Sequence, residues 1–465
     1  MVLRLYNSMG RRVQIFRPLR GRSVRMYTCG PTVWNYAHIG NYRTFVFEDV
    51  LRKYLGFRGY RVTQVKNITD VEDRIIKGMK QFGKSRKELS DFYEKAFMGD
   101  LGTLGIQRAE FYPRATEHIE EMVALTKRLM RKGYAYRADD GSIYFDVSKF
   151  RRYGRLSGIK PGELKAGARV SQDHYEKQEA NDFAVWKAWD ADDGDVFWET
   201  ELGKGRPGWH IECSAMSMKY LGSTFDIHTG GMDLKFPHHE NEIAQSEAAT
   251  GRRFVKYWLH SEFLNIRGEE MHKSVGNVIY LKDLVDEGRN PLAIRLFLIS
   301  SRYRDPLDLT DAKLDQAEAQ RKKIQDFIAR LRSVKTGVGG GGLPAELLSA
   351  FTDAMDDDLN TAAAIGAVFS FLRRVNKAID EGRVGRPGAQ AILAALQKVD
   401  SVLGLMRFEE TGISDAVTAL IAEREEVRKR RNFAEADRIR DELLELGVAI
   451  EDTPTGTVWK RKGTG

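Results

Sequence analysis

The alternation of apolar and polar positions divides the chain into a mixed front half and a helical back half. Val24 to Cys29 reads as a short strand that Gly30-Pro31 stops. Phe47, Val50, Leu51, Tyr54 and Leu55 then recur at helical spacing, which predicts a helix over 40–55 with one buried face. A second strand is predicted over 60–66. Strand, helix and strand in that order call for a parallel α/β sheet, with a nucleotide site where the first strand hands over to its helix. From Tyr134 to about Gly205 the pattern turns irregular, with Trp186, Trp189 and Trp198 among turn residues, and reads as an insertion between two halves of the sheet. The α/β rhythm returns with Phe225-Asp226-Ile227-His228, running into Thr229-Gly230-Gly231.

Beyond Asp311, Leu314, Ile324, Phe327, Ile328 and Leu331 form an apolar stripe at helical spacing. Gly337 to Gly342 breaks this region, and helical patterning resumes at Pro344 and runs to about Leu403. The last stretch, from Ser414, combines one charged helix predicted over 424–446 with a short tail ending Val458-Trp459-Lys460-Arg461-Lys462. No internal repeat is evident.

A chain of 465 residues calls for about two to four domains. With 42% hydrophobic and 30% charged residues, it has the composition of a folded globular protein. No run of about 18 apolar residues is present, so a membrane span is not expected. The first twenty residues alternate apolar with basic positions and lack the apolar core of a secretory signal, so a cytoplasmic location is expected. The net charge of +8 and pI of about 9.2 suit a polyanionic partner as well as many unrelated enzymes. Only Cys29 and Cys213 are available as thiols, which excludes a disulfide framework.

Three stretches carry candidate chemistry. His38-Ile39-Gly40-Asn41 opens the first predicted helix, where unsatisfied backbone N–H groups and the helix dipole favour phosphate. His38 and Asn41 can donate hydrogen bonds to charge developing on an α-phosphate, and Gly40 allows close approach of an adenine ring. Cys29, Cys213, His238 and Glu242 form a second set. His238 and Glu242 are four apart, on one face of a predicted helix, and two thiolates with an imidazole and a carboxylate suit zinc. His239 is a rival ligand one position on, and polar side chains satisfied at a helix end are the alternative reading. Third, Gly231 with Met232-Asp233 offers backbone room for adenosine and a carboxylate for ribose hydroxyls.

The string Cys29-Gly-Pro-Thr-Val-Trp-Asn-Tyr-Ala-His-Ile-Gly-Asn41 resembles the first signature of class I aminoacyl-tRNA synthetases, in the version carried by the cysteinyl enzymes. Gly205 to Cys213 and Phe225 to Glu242 are similar to further blocks of cysteinyl-tRNA synthetases. So are Met355-Asp-Asp-Asp-Leu-Asn-Thr361, Asn432 to Arg440 and Asp452 to Trp459. The resemblance implies that Cys29, Cys213, His238 and Glu242 hold one Zn2+ ion that recognises a substrate thiol, and that His239 lies behind them or faces the nucleotide. It further implies contacts to the amino acid from Gly30, Thr69 and Trp209. Glu269 to Asn277 falls where the family carries its Lys-Met-Ser-Lys-Ser loop. Met271, Lys273 and Ser274 match, whereas Glu270 stands for the first lysine and His272 for the central serine. The resemblance gives Lys273 and Ser274 the role of ATP contacts.

The expected architecture is a Rossmann-like parallel-sheet catalytic domain in two halves, 1–133 and 206–262, with a connective insertion at 134–205. A lysine-loop region follows at 263–310, then a helical bundle at 311–408 and a small anticodon-recognition module at 414–465. The implied activity is ATP-dependent loading of L-cysteine onto tRNA(Cys) by a monomer, with Mg2+ accompanying ATP. Two other readings stand beside it: a ligase joining cysteine to an aminosugar, and a catalytically impaired tRNA-binding paralogue.

Overall fold

The computed structural model describes residues 2–159, 182–271, 277–408, 415–430, 432–453 and 456–461. It divides into two compact units, Met1–Met406 and Arg407–Gly465. The larger unit is built on four parallel strands in the order Val255–Ser261, Phe225–Gly231, Ser23–Thr28, Arg61–Lys66. Phe225–Gly231 is buried along almost its whole length, as a central parallel strand covered on both faces must be. Helix Ile39–Phe57 links the first pair of strands and helix His238–Thr250 the second. The two pairs meet where Ser23–Thr28 lies beside Phe225–Gly231, so the chain reverses its direction of winding at that seam. In such sheets the crevice beyond the strand ends at the reversal is the place for a ligand.

Between the two halves the chain forms helices Asp73–Phe82, Arg86–Thr103 and Ile119–Arg131, then a separate antiparallel sheet. Its strands run in the order Ala135–Arg137, Ile143–Phe145, Phe183–Ala188, Gly203–Pro207, Trp198–Thr200. The irregular pattern read over 134–205 is therefore a sheet of short strands, with Trp186 fully buried in it. Helices Asp311–Ser333, Leu343–Asp356, Thr361–Asp380 and Arg386–Leu403 complete this unit. The stripe Leu314, Ile324, Phe327, Ile328 and Leu331 is buried throughout.

Two polar devices anchor the acidic string, the first of them to the first catalytic helix. Asp356 accepts from the Tyr54 hydroxyl and from Arg58 Nη1, each at 2.6 Å. Asp358 accepts from Tyr6 N at 2.6 Å, the Tyr303 hydroxyl at 2.8 Å and Arg304 Nε at 2.6 Å. The acidic string is thus a staple, and Asp358 and Leu359 adopt positive φ of 56° and 53° to make it. Nearby, Arg295 is fully buried. It donates to Asp49 Oδ2 at 2.5 Å, to the Leu403 carbonyl at 2.6 Å and to the Leu104 carbonyl at 3.0 Å.

The smaller unit corrects one expectation. The charged stretch expected as one helix over 424–446 is two, Asp415–Lys429 and Phe433–Glu445, with Asn432 capping the second through a bond from Glu435 N. Asn is a favoured cap because its side-chain oxygen takes one of the unpaired first-turn N–H groups. A hairpin follows, Val448–Thr453 with Gly456–Arg461, and Val417, Ile439, Leu443 and Val448 form the core of this unit.

Removing the Arg295 guanidinium takes from Asp49 one of its two cationic partners, leaving Lys53 Nζ at 2.8 Å, and orphans the Leu403 and Leu104 carbonyls in the interior. Arg295→Leu is expected to cost about 3–5 kcal/mol of stability. A thermal or denaturant unfolding curve that superimposes on the wild type would contradict this.

Candidate active site

The site grows from the seam between the two strand pairs. Cys29 N donates to the Thr229 carbonyl at 3.3 Å, so the ends of two distant strands stand side by side. Beyond them opens a cavity of about 700 Å³. Cys29, Gly30, His38, Gly40, Asn41, Thr69, Trp209, Cys213, Gly231, Asp233 and His238 all line it. Glu242 lies behind the wall, fully buried. Of the site residues expected from sequence, Lys273 and Ser274 lie outside the described residues, as does His272. The described chain on either side of them stays close to the cavity. A hairpin of Leu264–Ile266 and Glu269–Glu270, turning through positive φ at Arg267 and Gly268, delivers Met271 to the cavity wall. After the gap, the Ile279 carbonyl accepts from Ile39 N at 2.9 Å.

At the cavity floor, the ligating atoms of Cys29, Cys213, His238 and Glu242 lie within 4.8 Å of one another, and all four residues are buried. A second grouping, Cys29, His228, His239 and Glu242, meets the same distance limit but contains one thiol rather than two. Cys213 and His238 come from two helices, Trp209–Leu221 and His238–Thr250, that pack on each other. Glu242 Oε2 is 3.0 Å from His228 Nε2, whereas the buried Oε1 has no hydrogen bond, although His238 Nε2 is 3.2 Å away. Burial, and then the Cys213 thiol beside it, push the Cys29 thiol well up from its ordinary range. Burial lowers His238 to about 3, so its ring is neutral at physiological pH and able to ligate. An orphaned carboxylate oxygen, two thiols and a neutral imidazole fit a divalent metal ion.

Sequence reasoning passed over three histidines that surround this cluster. His228 holds Glu242 as described. His210 Nδ1 is 3.0 Å from His238 Nδ1. His260 Nε2 is 2.8 Å from His239 Nδ1, with its own Nδ1 2.7 Å from Ser8 Oγ, and His239 Nε2 lies 3.3 Å from Cys29 Sγ. Residues behind metal ligands fix ring orientation and ligand basicity. None has a spacing signal, because each stands alone in its segment and is matched to the others only by the fold.

At the cavity rim, helix Ile39–Phe57 begins with a reciprocal cap. Asn41 N donates to His38 Nδ1 at 3.3 Å, and His38 N donates to Asn41 Oδ1 at 3.0 Å. The backbone donors fix both side chains. Nδ1 must be the acceptor, so the neutral His38 ring carries its proton on Nε2, and the Asn41 amide presents its NH2 end elsewhere. The helix N-terminus thus supplies two side-chain donors beside its own positive dipole end. A Cβ on Gly40 would lie 2.5 Å from Met271 Cε, so its lack of a side chain serves the Met271 contact directly.

Trp209 starts its helix with its ring centroid 4.3 Å from that of His238. Thr69 Oγ1 accepts from Asn67 Nδ2 at 3.1 Å, and Asn67 Oδ1 accepts from Gly30 N at 2.9 Å, which ties together two of the residues expected to touch the amino acid. A Cβ on Gly231 would come within 2.3 Å of Asp233 Oδ1.

Comparison with known proteins identifies the family of the chain. Residues 15–319 match the family model for the catalytic domain of class I (C) tRNA synthetases, residues 350–407 the DALR domain, and residues 410–459 the cysteinyl-tRNA ligase anticodon binding domain. The fold is also that of the methionyl-tRNA synthetase of Mycobacterium tuberculosis bound by methionyl-adenylate. That likeness has a TM-score of 0.60 at 15% identity and covers 82% of this chain and 88% of the other. These features define a class I aminoacyl-tRNA synthetase. The cysteine–tRNA ligase of Brachyspira hyodysenteriae is 44% identical over 98% of this chain and 99% of its own length. That of Solibacter usitatus is 45% identical over 99% and 100%. The chain belongs to the cysteine–tRNA ligase family.

A Cβ on Gly30 would stand 1.7 Å from the Asn67 carbonyl oxygen, whereas one on Gly56, in the last turn of helix Ile39–Phe57, meets nothing within 4 Å. Gly30→Ala is therefore expected to lower the thermal unfolding midpoint, and Gly56→Ala to raise stability by up to about 1 kcal/mol through helix propensity. Shifts of the same sign in the two variants would contradict the close approach at Gly30.

Proposed function

We propose that the protein activates L-cysteine with ATP and Mg2+, releasing pyrophosphate, and passes the cysteinyl group to the 3′ end of tRNA(Cys). The observation that carries this reading is one cavity with a two-thiol, imidazole and carboxylate cluster at its floor and a phosphate-seeking helix N-terminus at its rim. Cys29, Cys213, His238 and Glu242 would hold zinc, which would supply a borderline-soft centre that takes a thiolate in preference to the hydroxyl of serine. A pocket working by shape alone separates such near-isosteres by only about 1–3 kcal/mol. Trp209 walls the amino-acid subsite, and Thr69 and Gly30 border it. His38 Nε2–H and the Asn41 amide donate to the α-phosphate as the cysteine carboxylate attacks, while Gly40, Gly231 and Asp233 receive the nucleoside. Lys273 neutralises charge on the departing pyrophosphate, and Ser274 contacts the ATP by hydrogen bonding. No protein nucleophile takes part.

The match of residues 410–459 to an anticodon-binding domain favours an RNA acceptor over an aminosugar. Accordingly, residues 1–133 and 206–262 act as the catalytic domain, 134–205 as its insertion, 263–310 as the loop region, 311–408 as the stem-binding helices and 414–465 as the anticodon reader. No helix among the described residues is long and apolar enough to cross a membrane. Two unbridged cysteines suit a reducing, cytoplasmic setting.

Two measurements test the proposal. Metal analysis of the purified wild type should return about one zinc per chain. Cys29→Ser and Cys213→Ser should each fall well below that, and full zinc in both variants would remove the coordination. Cysteine-dependent exchange between pyrophosphate and ATP should fall about 100-fold or more in Lys273→Ala and stay within the same order in Glu270→Lys. Undiminished exchange in Lys273→Ala would remove the loop from catalysis, and no exchange by metal-replete wild type would favour a tRNA-binding paralogue without ATP chemistry.

A further inference from the structure

The cavity wall continues outward from Tyr36 as a cluster of rings. Tyr36 lines the cavity, and its ring centroid is 5.2 Å from Tyr93, 6.1 Å from Phe92 and 6.0 Å from Tyr280. Phe92 and Tyr93 are 5.1 Å apart edge to face, and Tyr93 is 6.5 Å from Phe82. Helix Arg86–Thr103 packs through Leu89, Phe97 and Leu101, all buried. Tyr93 shares that side at helical spacing, but Phe92 does not and is 47% exposed. Phe82, the last residue of helix Asp73–Phe82, is 39% exposed. Core packing accounts for Tyr36 and Tyr93 and leaves the outer faces of Phe92 and Phe82 without a purpose. Lys84 Nζ stands 4.9 Å over the Phe92 ring, so the outermost aromatic carries a cation as well.

Exposed rings beside a cation form the surface on which unpaired nucleotides stack, since every base has a π face and every linkage a phosphate. The transfer step demands such an occupant here: a terminal ribose must enter the cavity while the nucleotides before it remain outside. We propose that Phe92, with Phe82 and Tyr93 around it, Tyr36 at the cavity wall and Lys84 alongside, is the platform on which the unpaired 3′ nucleotides of the tRNA stack as its end enters the site. The inference rests on the ligase reading above and adds to it the route of the RNA end. Stacking of this kind tolerates sequence, so the platform holds the strand without reading it.

The test is a binding cycle at fixed salt with two transcripts of tRNA(Cys), one intact and one lacking its unpaired 3′ nucleotides. Phe92→Ala is expected to weaken binding of the intact transcript by about tenfold and to bind the shortened one as the wild type does, while Phe92→Trp restores the intact transcript. Equal losses for both transcripts, or no loss for the intact one, would overturn the platform. Cysteine-dependent pyrophosphate exchange by the wild type is run beside it. Its absence removes the ligase reading and this inference together, whereas working exchange with a flat binding cycle removes this inference alone.

Discussion

The arrangement depends on one seam, where the strand Ser23–Thr28 lies parallel to Phe225–Gly231 with Cys29 N bonded to the Thr229 carbonyl. Residues separated by the whole insertion are brought level there. Cys29 leaves one strand, Gly230 and Gly231 end the other, and the helices carrying Cys213 and His238 approach the same point. The close fit around the seam leaves no room for side chains. A Cβ on Gly30 would strike Asn67, and one on Gly230 would come within 2.7 Å of the His239 ring. The register of two strands therefore decides whether four distant ligands can share an ion, and the glycines are the condition for that register.

Charge reinforces the same point. Most buried carboxylates in the larger unit have a local answer. Glu48 pairs with Lys66 at 2.6 Å and takes the Thr229 hydroxyl at 2.7 Å, Asp49 has Arg295, and Asp226 accepts from two backbone N–H groups. Glu212 is fully buried, and burial, then the Cys213 thiol beside it, push its carboxyl well up from the usual carboxylate range. The cluster of Cys29, Cys213 and Glu242 is different: it gathers three groups that ligate as anions beside histidines that burial keeps neutral. Such a set is costly in a low-dielectric interior unless a cation is part of it. That marks the floor of the cavity as a candidate ligand shell.

What was legible in the sequence followed the strength of its periodicity. The first helix, expected over 40–55, is Ile39–Phe57, because its 19 residues repeat the apolar spacing several times, and the strands at 24–29 and 60–66 are Ser23–Thr28 and Arg61–Lys66, legible because they flank that helix. The insertion was legible only as a break. Its strands are three to six residues long and slip register between Ile143 and Tyr144, too little for alternation to accumulate. The division of the terminal charged stretch at Asn432 was hidden because both helices are rich in charge and only three residues, 430–432, separate them. At the site, motif positions could be named, whereas His210, His228 and His260 could not. Their partners are 14 to 28 residues away in sequence, and only the packing of helices on the sheet brings them together.

The acidic string shows how a sequence motif with no chemistry of its own can still belong to the site. Helix Ile39–Phe57 has 19 residues and so spans about 28 Å at 1.5 Å per residue. Its first turn carries the His38 and Asn41 cap, Asp49 near its middle is clamped by Arg295, and Tyr54 and Arg58 at its far end are held by Asp356. An α-helix transmits axial position along its length because its backbone hydrogen bonds run parallel to the axis. Fixing the far end and the middle therefore fixes the height of the cap over the cavity. That height is set through two buried carboxylates, Asp356 of the helical region and Asp49 of the helix itself, neither of which lines the cavity. Precision at His38 is thus built from outside the catalytic sheet, and the loop segment at Ile279, bonded to Ile39 N, closes the arrangement from the other side.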